Sequence, residues 1–299
     1  MKNFIDFLKE KCIPYEENAD GKKLCSFRVG GEIRVAVRPR NAEQIRDVYG
    51  FLKKHQIKNA LLGKGSNIIV DDSGYEGVVV LLNEMSNVEI KENVIDVGAG
   101  TSMQALAVAA QKSGLSGLEF AHGIPGSVGG GIYMNAGAYG TEICLVLESC
   151  TCFDKVSGET VVLSNEECGF SYRRSVFQQN KNLVILGGRF SLSKGDPNTI
   201  KARMDELKAS RLSKQPLEYP SAGSTFKRPE GDYAGRLIEV CGLKGTACGG
   251  AEVSTKHAGF VINKNNATCS DVLGVIEKVK QTVKKETGVE LHCEVLLME

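Results

Sequence analysis

Two glycine-rich segments have the makings of a diphosphate cradle. The first, Gly63-Lys64-Gly65-Ser66-Asn67, directly follows the short apolar run Lys58–Leu62. Glycines at alternate positions allow positive φ and let backbone approach a ligand closely. Successive N–H groups can then face one concavity suited to phosphate oxygens. Ser66 and Asn67 add side-chain donors. The run matches neither a Walker A loop nor G-x-G-x-x-G, and by itself it reads as well as a plain β-turn. The second segment runs from Gly123 to Gly140. Pro125, Val128, Ile132, Tyr133 and Met134 are interleaved with its glycines, so it is not a flexible linker. Such a segment packs tightly and still exposes main chain. The candidate ligand contacts are Gly63, Lys64, Gly65, Ser66 and Asn67, then Gly123, Pro125, Gly126, Ser127, Gly129, Gly130, Asn135, Ala136 and Gly137.

The surrounding periodicity predicts the elements that carry these segments. Residues 2–11 read as a short amphipathic helix. A strand at Ile33–Val37 follows a polar stretch. Asn41 caps a helix with Ile45, Val48 and Leu52 on one face. Lys58–Leu62, Ile68–Val70 and Val78–Leu82 read as strands. Two short β runs, Val88–Lys91 and Val94–Val97, precede a helix capped by Thr101 and ended by Gly114. Strands resume at Leu145–Phe153, Thr160–Leu163 and Leu183–Phe190, the first two joined by a turn at Lys155–Gly158. Residues 191–199 are the best linker. Beyond them come a basic helix near 199–212, a short helix at Tyr233–Val240, a strand at Gly259–Ile262, a long amphipathic helix at Ser270–Thr287, and a terminal strand at Glu290–Leu297.

Composition sets outer limits. The 299 residues carry a formal charge of +1, with 42% hydrophobic and 24% charged residues. Neither nucleic acid nor an anionic membrane is favoured as a partner. The N-terminus has no long apolar run, so neither a signal peptide nor a membrane span is expected. The ten cysteines form no C-x-x-C pair and there are only four histidines. No metal site is expected, and the thiols read as reduced core residues of a cytoplasmic protein. The oligomeric state is left open.

At the glycine segments the chain resembles a known family. GKGSN followed by GIPGSVGGGIYMNAGAYG resembles the FAD domain of the UDP-N-acetylenolpyruvoylglucosamine reductase (MurB) family, within the p-cresol methylhydroxylase/vanillyl-alcohol oxidase type of flavin fold. Ser26–Gly31 matches its S/T-F-R-x-G-G element. Tyr172–Phe177 matches Y-R-x-S-x-F, and Pro220–Lys227 matches P-S-A-G-S-x-F-K. Glu294 matches the terminal glutamate. The glycines alone leave the ligand open; the resemblance narrows it to FAD, bound non-covalently. It implies an α+β fold of three domains: a two-part FAD-binding domain, 1–82 and 83–195, and a C-terminal α+β substrate domain, 196–299. The length resembles the shorter type of the family, which lacks an insertion carrying a substrate-binding tyrosine.

The implied reaction is reduction of UDP-N-acetylglucosamine enolpyruvate to UDP-N-acetylmuramate for peptidoglycan, with NADPH reducing the flavin. Hydride goes to the methylene carbon, and negative charge develops at the neighbouring carbon and its carboxylate. The resemblance makes Ser224 the proton donor, a weak acid that needs help. It makes Arg173 the bidentate holder of the carboxylate and of the developing enolate, and Glu294 an assistant in proton relay. Lys227 is a candidate diphosphate contact. Arg228 stands where some relatives have asparagine, so an amide contact is not expected there. Tyr133, Asn135 and Tyr139 are candidates to line the flavin or substrate cleft, Tyr133 as a substrate contact, though core aromatics or turn residues look the same in sequence. Arg174 reads rather as a solvated residue, facing away from Arg173 if side chains alternate here, and Arg211, Lys214 and Gln215 form a basic cluster that reads at least as well as a solvated helix end. His122 invites covalent flavin attachment, but the default is a loop histidine satisfied by hydrogen bonds. Two alternatives remain: an alcohol or sugar oxidase of the same flavin fold, and a nucleotide-binding module without catalysis.

Overall fold

Local signals account for most of the elements of the computed structural model, which describes residues 1–299. The Ala42–Lys54 helix starts where the Asn41 side chain accepts a hydrogen bond from Gln44 N. Its buried Ile45, Val48, Tyr49 and Leu52 form the apolar stripe that the spacing predicts. The Cys269–Thr287 helix opens on a reciprocal capping box between Thr268 and Asp271. It ends at Gly288, whose left-handed φ of +74° favours glycine as the cap.

The chain divides into two compact units, each built from three segments. The first comprises Met1–Glu17, Val35–Lys64 and Gly77–Ala209; the second comprises Asn18–Arg34, Gly65–Glu76 and Ser210–Glu299. A four-stranded sheet runs in the order Tyr15–Asp20, Glu32–Val37, Tyr75–Leu81, Asn59–Leu62. Its Asn59–Leu62 and Tyr75–Leu81 strands are parallel, with Leu61 opposite Val80.

The first unit holds a five-stranded antiparallel sheet, ordered Thr160–Ser164, Leu147–Asp154, Leu183–Ser191, Val94–Gly98, Val88–Lys91. The helices Lys2–Glu10, Ala42–Lys54 and Met103–Lys112 contribute to its core, where Phe4, Leu8, Ile45, Leu106, Ile132, Phe177 and Phe190 are buried. Cys150 and Cys152 lie in the same core with their sulfurs 3.5 Å apart, as reduced thiols.

The second unit has a three-stranded antiparallel sheet, Ala247–Cys248, Ala251–Val253 and Val261–Asn263. The Cys269–Thr287 helix buries Val272, Val275, Ile276, Val279 and Val283. Ile68–Val70 and Leu296–Met298 form a separate parallel pair.

Five sequence expectations change. The stretch 191–199, expected as a linker, instead pairs Ser193–Lys194 with Leu115–Ser116 and begins the Pro197–Lys214 helix. The helix expected after Thr101 is capped by Ser102, whose hydroxyl accepts from Ala105 N; the Thr101 hydroxyl faces Asn87 O instead. Residues Ile143–Leu145 form a 3₁₀ turn, so the next strand starts at Leu147. The terminal strand contracts to Leu296–Met298. The strand at Tyr15–Asp20 was hidden because four of its six residues are exposed and polar.

Candidate active site

In the first unit the two glycine segments adjoin. A Cβ at Gly63 would stand 2.4 Å from Ser127 Oγ and 3.8 Å from Gly130 N. Any side chain at Gly63 would therefore collide with the second segment. That segment is partly helical: Val128–Tyr133 forms a short helix capped by Ser127, whose Oγ accepts from Gly130 N. Gly129 packs on Ala99, where a Cβ would come within 2.9 Å. His122, just before Gly123, is partly buried, and its Nδ1 has no hydrogen-bond partner in the protein. The expectation of a hydrogen-bonded loop histidine fails for that atom. Burial, with Lys208 adding, holds the imidazole pKa below its ordinary value.

Arg173 is positioned by the end of the same glycine segment. It sits in a tight turn in which Ser171 and Arg174 exchange main-chain hydrogen bonds, and its φ is +54°. It is not on an alternating strand, so alternation cannot decide where Arg174 points. The Arg173 guanidinium donates from Nη2 to Gly137 O at 3.1 Å and from Nη1 to Asn135 O at 3.4 Å. Glu142 Oε1 lies 4.0 Å from Nη1, and the Tyr172 ring lies 5.0 Å from the guanidinium carbon. Asn135 is fully buried and its side chain serves the protein itself: Nδ2 donates to Glu142 Oε2 and Ser171 O, while Oδ1 accepts from Cys144 N. The downstream turn is fixed too, because Ser175 Oγ and Gln178 Nε2 both donate to Tyr133 O. Tyr133 is engaged at its hydroxyl, which accepts from Lys181 Nζ at 2.7 Å. The Tyr139 hydroxyl donates to Leu207 O.

In the second unit three separate motifs meet. Glu294 N donates to Thr225 O, and Lys227 N donates to His292 O. This pairing places Ser224 and Glu294 at the same end of two extended segments. Asn67 joins them: its Nδ2 donates to Glu294 O and its carbonyl accepts from Leu296 N. Gly65 is required beside it, since a Cβ there would lie 1.9 Å from Leu24 O and φ is +60°. Ser224 is exposed, Glu294 half-buried, and Lys227 half-buried. Arg228 stacks over the Tyr233 ring at 4.5 Å. Thr225 N donates to Gly259 O, and Thr225 Oγ1 accepts from Val261 N. The neighbouring His257 accepts from Gly259 N at Nδ1, and burial lowers its pKa.

These arrangements coincide with two family models. Residues 33–164 match the FAD binding domain, and residues 215–298 match the C-terminal domain of UDP-N-acetylenolpyruvoylglucosamine reductase. The reductase of that name from Clostridium novyi is 50% identical over 277 residues, which cover 93% of this chain and 90% of the relative. The chain belongs to the UDP-N-acetylenolpyruvoylglucosamine reductase family. The reductase from Shouchella clausii is 43% identical, covering 99% of this chain and 96% of its own. The crystal structure of the family member from Thermus caldophilus superposes with a TM-score of 0.81 at 32% identity, covering 96% of this chain and 99% of that one.

The residues present fit the FAD that this reductase family uses. Gly63 has no room for a side chain of its own against Ser127 Oγ, so its main chain stays bare beside the second segment, and His122 Nδ1 remains unused beside Gly123. Reading the sequence missed Glu142, Thr225 and His257. Glu142 was detectable as a lone acid two residues past Gly140. Thr225 and His257 carry no local signal, because their placement depends on pairings between distant segments.

Proposed function

We infer that this chain is the FAD-dependent reductase that converts UDP-N-acetylglucosamine enolpyruvate to UDP-N-acetylmuramate, with NADPH as reductant, in peptidoglycan precursor synthesis. When bound, FAD supplies the hydride chemistry. We assign its binding to residues 1–82 and 83–195, through Gly63, Lys64, Gly65, Ser66, Asn67 and the Gly123–Gly137 stretch. Residues 196–299 take the UDP-sugar.

The protein's own contribution is position, charge and a proton. Arg173 holds the enolpyruvyl carboxylate, since its guanidinium keeps its charge and offers a planar fork. It stabilises negative charge as that develops beside the carboxylate. Ser224 Oγ–H delivers the proton to the carbon bearing that charge, and Glu294 supports the hydroxyl. Lys227 faces the diphosphate as a point charge, with Arg228 and Tyr133 as further substrate contacts. The observation that carries this reading is the main-chain pairing of the Ser224 and Glu294 segments, with Asn67 bound to the same Glu294 carbonyl. It links the serine and the carboxylate to a residue of the first glycine run.

No helix is long and apolar enough to cross a membrane. All ten cysteines are free, which suits a reducing cytoplasm. The deciding assay is NADPH oxidation with and without UDP-N-acetylglucosamine enolpyruvate. Stimulation by the substrate is expected; a rate indifferent to it rejects the assignment in favour of an oxidase or a binding module.

A further inference from the structure

A polar cleft lies within the second unit; none of the residues assigned above to FAD or the UDP-sugar lines it, although Gly65 packs against its wall residue Cys25. Its volume is about 660 Å³, within the range of small-molecule sites. Lys22, Lys23, Arg28 and Lys264 line it, and no carboxylate does. Only Lys264 has an acidic partner, Glu252 at 2.7 Å. Three uncompensated cations therefore face one cavity in a chain whose formal net charge is only +1. Like charges gathered this way repel one another, and an anion relieves the repulsion.

The wall is prearranged. Asn263 Nδ2 donates to the carbonyls of Phe27 and Arg28, and its Oδ1 accepts from Ala267 N. Asn263 N also donates to Pro220 O. One buried asparagine thus ties together the loops that carry Arg28, Tyr219 and Lys264. Arg28 and Asn266 both hold left-handed backbone, with φ of +55° and +49°. Non-glycine residues keep that conformation only where the surroundings over-determine it. The backbone under Arg28 and Lys264 is thus tied to one wall, the exposed Lys22 and Lys23 reach over it from the Gly21–Leu24 turn of helix, and Tyr219 contributes an aromatic ring.

We propose that this cleft binds a nucleoside polyphosphate, with the phosphates on Lys22, Lys23 and Arg28 and the base against Tyr219. Arginine and lysine bind phosphate oxygens through charge-assisted hydrogen bonds, and an aromatic face suits a planar base. The site is separate from catalysis: Ser224, Lys227 and Glu294 do not line it.

The test is calorimetric titration of the FAD-loaded full chain in phosphate-free, low-salt buffer, with ADP and inorganic pyrophosphate as probes. FAD loading keeps the cofactor's diphosphate site filled. ADP should bind at one site, more tightly than pyrophosphate, and more weakly as salt rises. The Lys22→Ala/Lys23→Ala double variant should weaken ADP at least tenfold while keeping its FAD content and NADPH turnover. Arg28→Gln should act similarly, and Tyr219→Leu should abolish the advantage of ADP over pyrophosphate. The Lys22 and Lys23 side chains are exposed and unpaired, so their loss leaves folding intact. Unchanged ADP affinity in the double variant, or no ADP binding by the parent, overturns the site. Equal affinity of the parent for ADP and pyrophosphate overturns its assignment to nucleosides.

Discussion

Replacing Asn135 tests whether Arg173 is positioned by the protein rather than by its ligand. The Asn135 side chain makes three internal hydrogen bonds, to Glu142, Ser171 and Cys144, and its carbonyl accepts from Arg173. Alanine removes the three side-chain bonds. Ser171 is exposed and Glu142 half-buried, so water can replace Asn135 there. The Cys144 N–H donates to the Asn135 amide oxygen, and leaving it unpaired costs about 1–3 kcal/mol. Asn135 also holds φ at +42°, where alanine costs a further ~1–2 kcal/mol. The expected loss is about 2–5 kcal/mol, a fall in Tm of roughly 4–20 °C at about 2–4 °C per kcal/mol. Asn135→Gly escapes the backbone term and should be about 1 kcal/mol more stable than Asn135→Ala. Both variants should lower kcat/KM for the enolpyruvyl substrate while flavin reduction by NADPH persists, since the carbonyl that holds Arg173 shifts. Thermal melts and stopped-flow half-reactions report the two effects. An Asn135→Ala protein within about 0.5 kcal/mol of the parent, with an unchanged substrate half-reaction, would refute the reasoning.

Other changes probe the remaining parts. Gly63→Ala drives a Cβ to 2.4 Å from Ser127 Oγ, so purified protein should retain less FAD, read from the flavin absorbance; full retention contradicts the cradle. Ser224→Ala should keep flavin reduction by NADPH but slow substrate reduction by about 10²–10⁴-fold; a slowdown confined to the first half-reaction removes Ser224 from proton donation. Burial lowers the pKa of both His122 and His257 from 6.5. The unfolded chain then binds protons more readily, so their contribution is complete above pH 6.5 and is lost as pH falls through the folded values. Tm should drop between pH 7.5 and 5.5, and His257→Gln should flatten that slope; an unchanged slope assigns the effect elsewhere. The Asp72 carboxylate accepts from Cys269 N, Ser270 N and Ser270 Oγ. Burial raises its pKa, but these hydrogen bonds outweigh it and hold the group below 3.8. Asp72→Ala should cost about 1 kcal/mol near neutrality, as for a lost helix cap, with the difference vanishing in acid; equal stability at neutral pH rejects the capping role.

Much of this architecture was legible because its signals are local. The helices at Ala42–Lys54 and Cys269–Thr287 carry their caps and apolar stripes within one short window. The hairpin of Leu147–Asp154 and Thr160–Ser164 is closed by Gly158 at φ +76°. The terminal strand misled because Leu291, Val295, Leu296 and Leu297 look continuous in sequence, yet only Leu296–Met298 pairs with Ile68–Val70. The preceding residues pair with Thr225 and Lys227 instead. No periodicity can report which distant partner a short extended segment will choose, because the choice depends on non-local hydrogen bonds.

That misreading bears on the chemistry assigned to Glu294. In an alternating strand, its neighbours Cys293 and Val295 would point one way and the carboxylate the other, and exposure would follow from parity. Here the backbone of Glu294 is held at both polar atoms, its N–H by Thr225 O and its carbonyl by Asn67 Nδ2. Both partners belong to motifs far away in sequence. The main chain at Glu294 is therefore fixed by the segments that carry Ser224 and the first glycine run, and the side chain inherits its place from them. Asn67→Ala removes one of these two anchors without touching the carboxylate. It should lower the rate of substrate reduction while Glu294 itself remains, and Asn67→Gln, longer by one methylene, should not rescue it. A normal rate in Asn67→Ala would mean that the Thr225 pairing alone fixes Glu294.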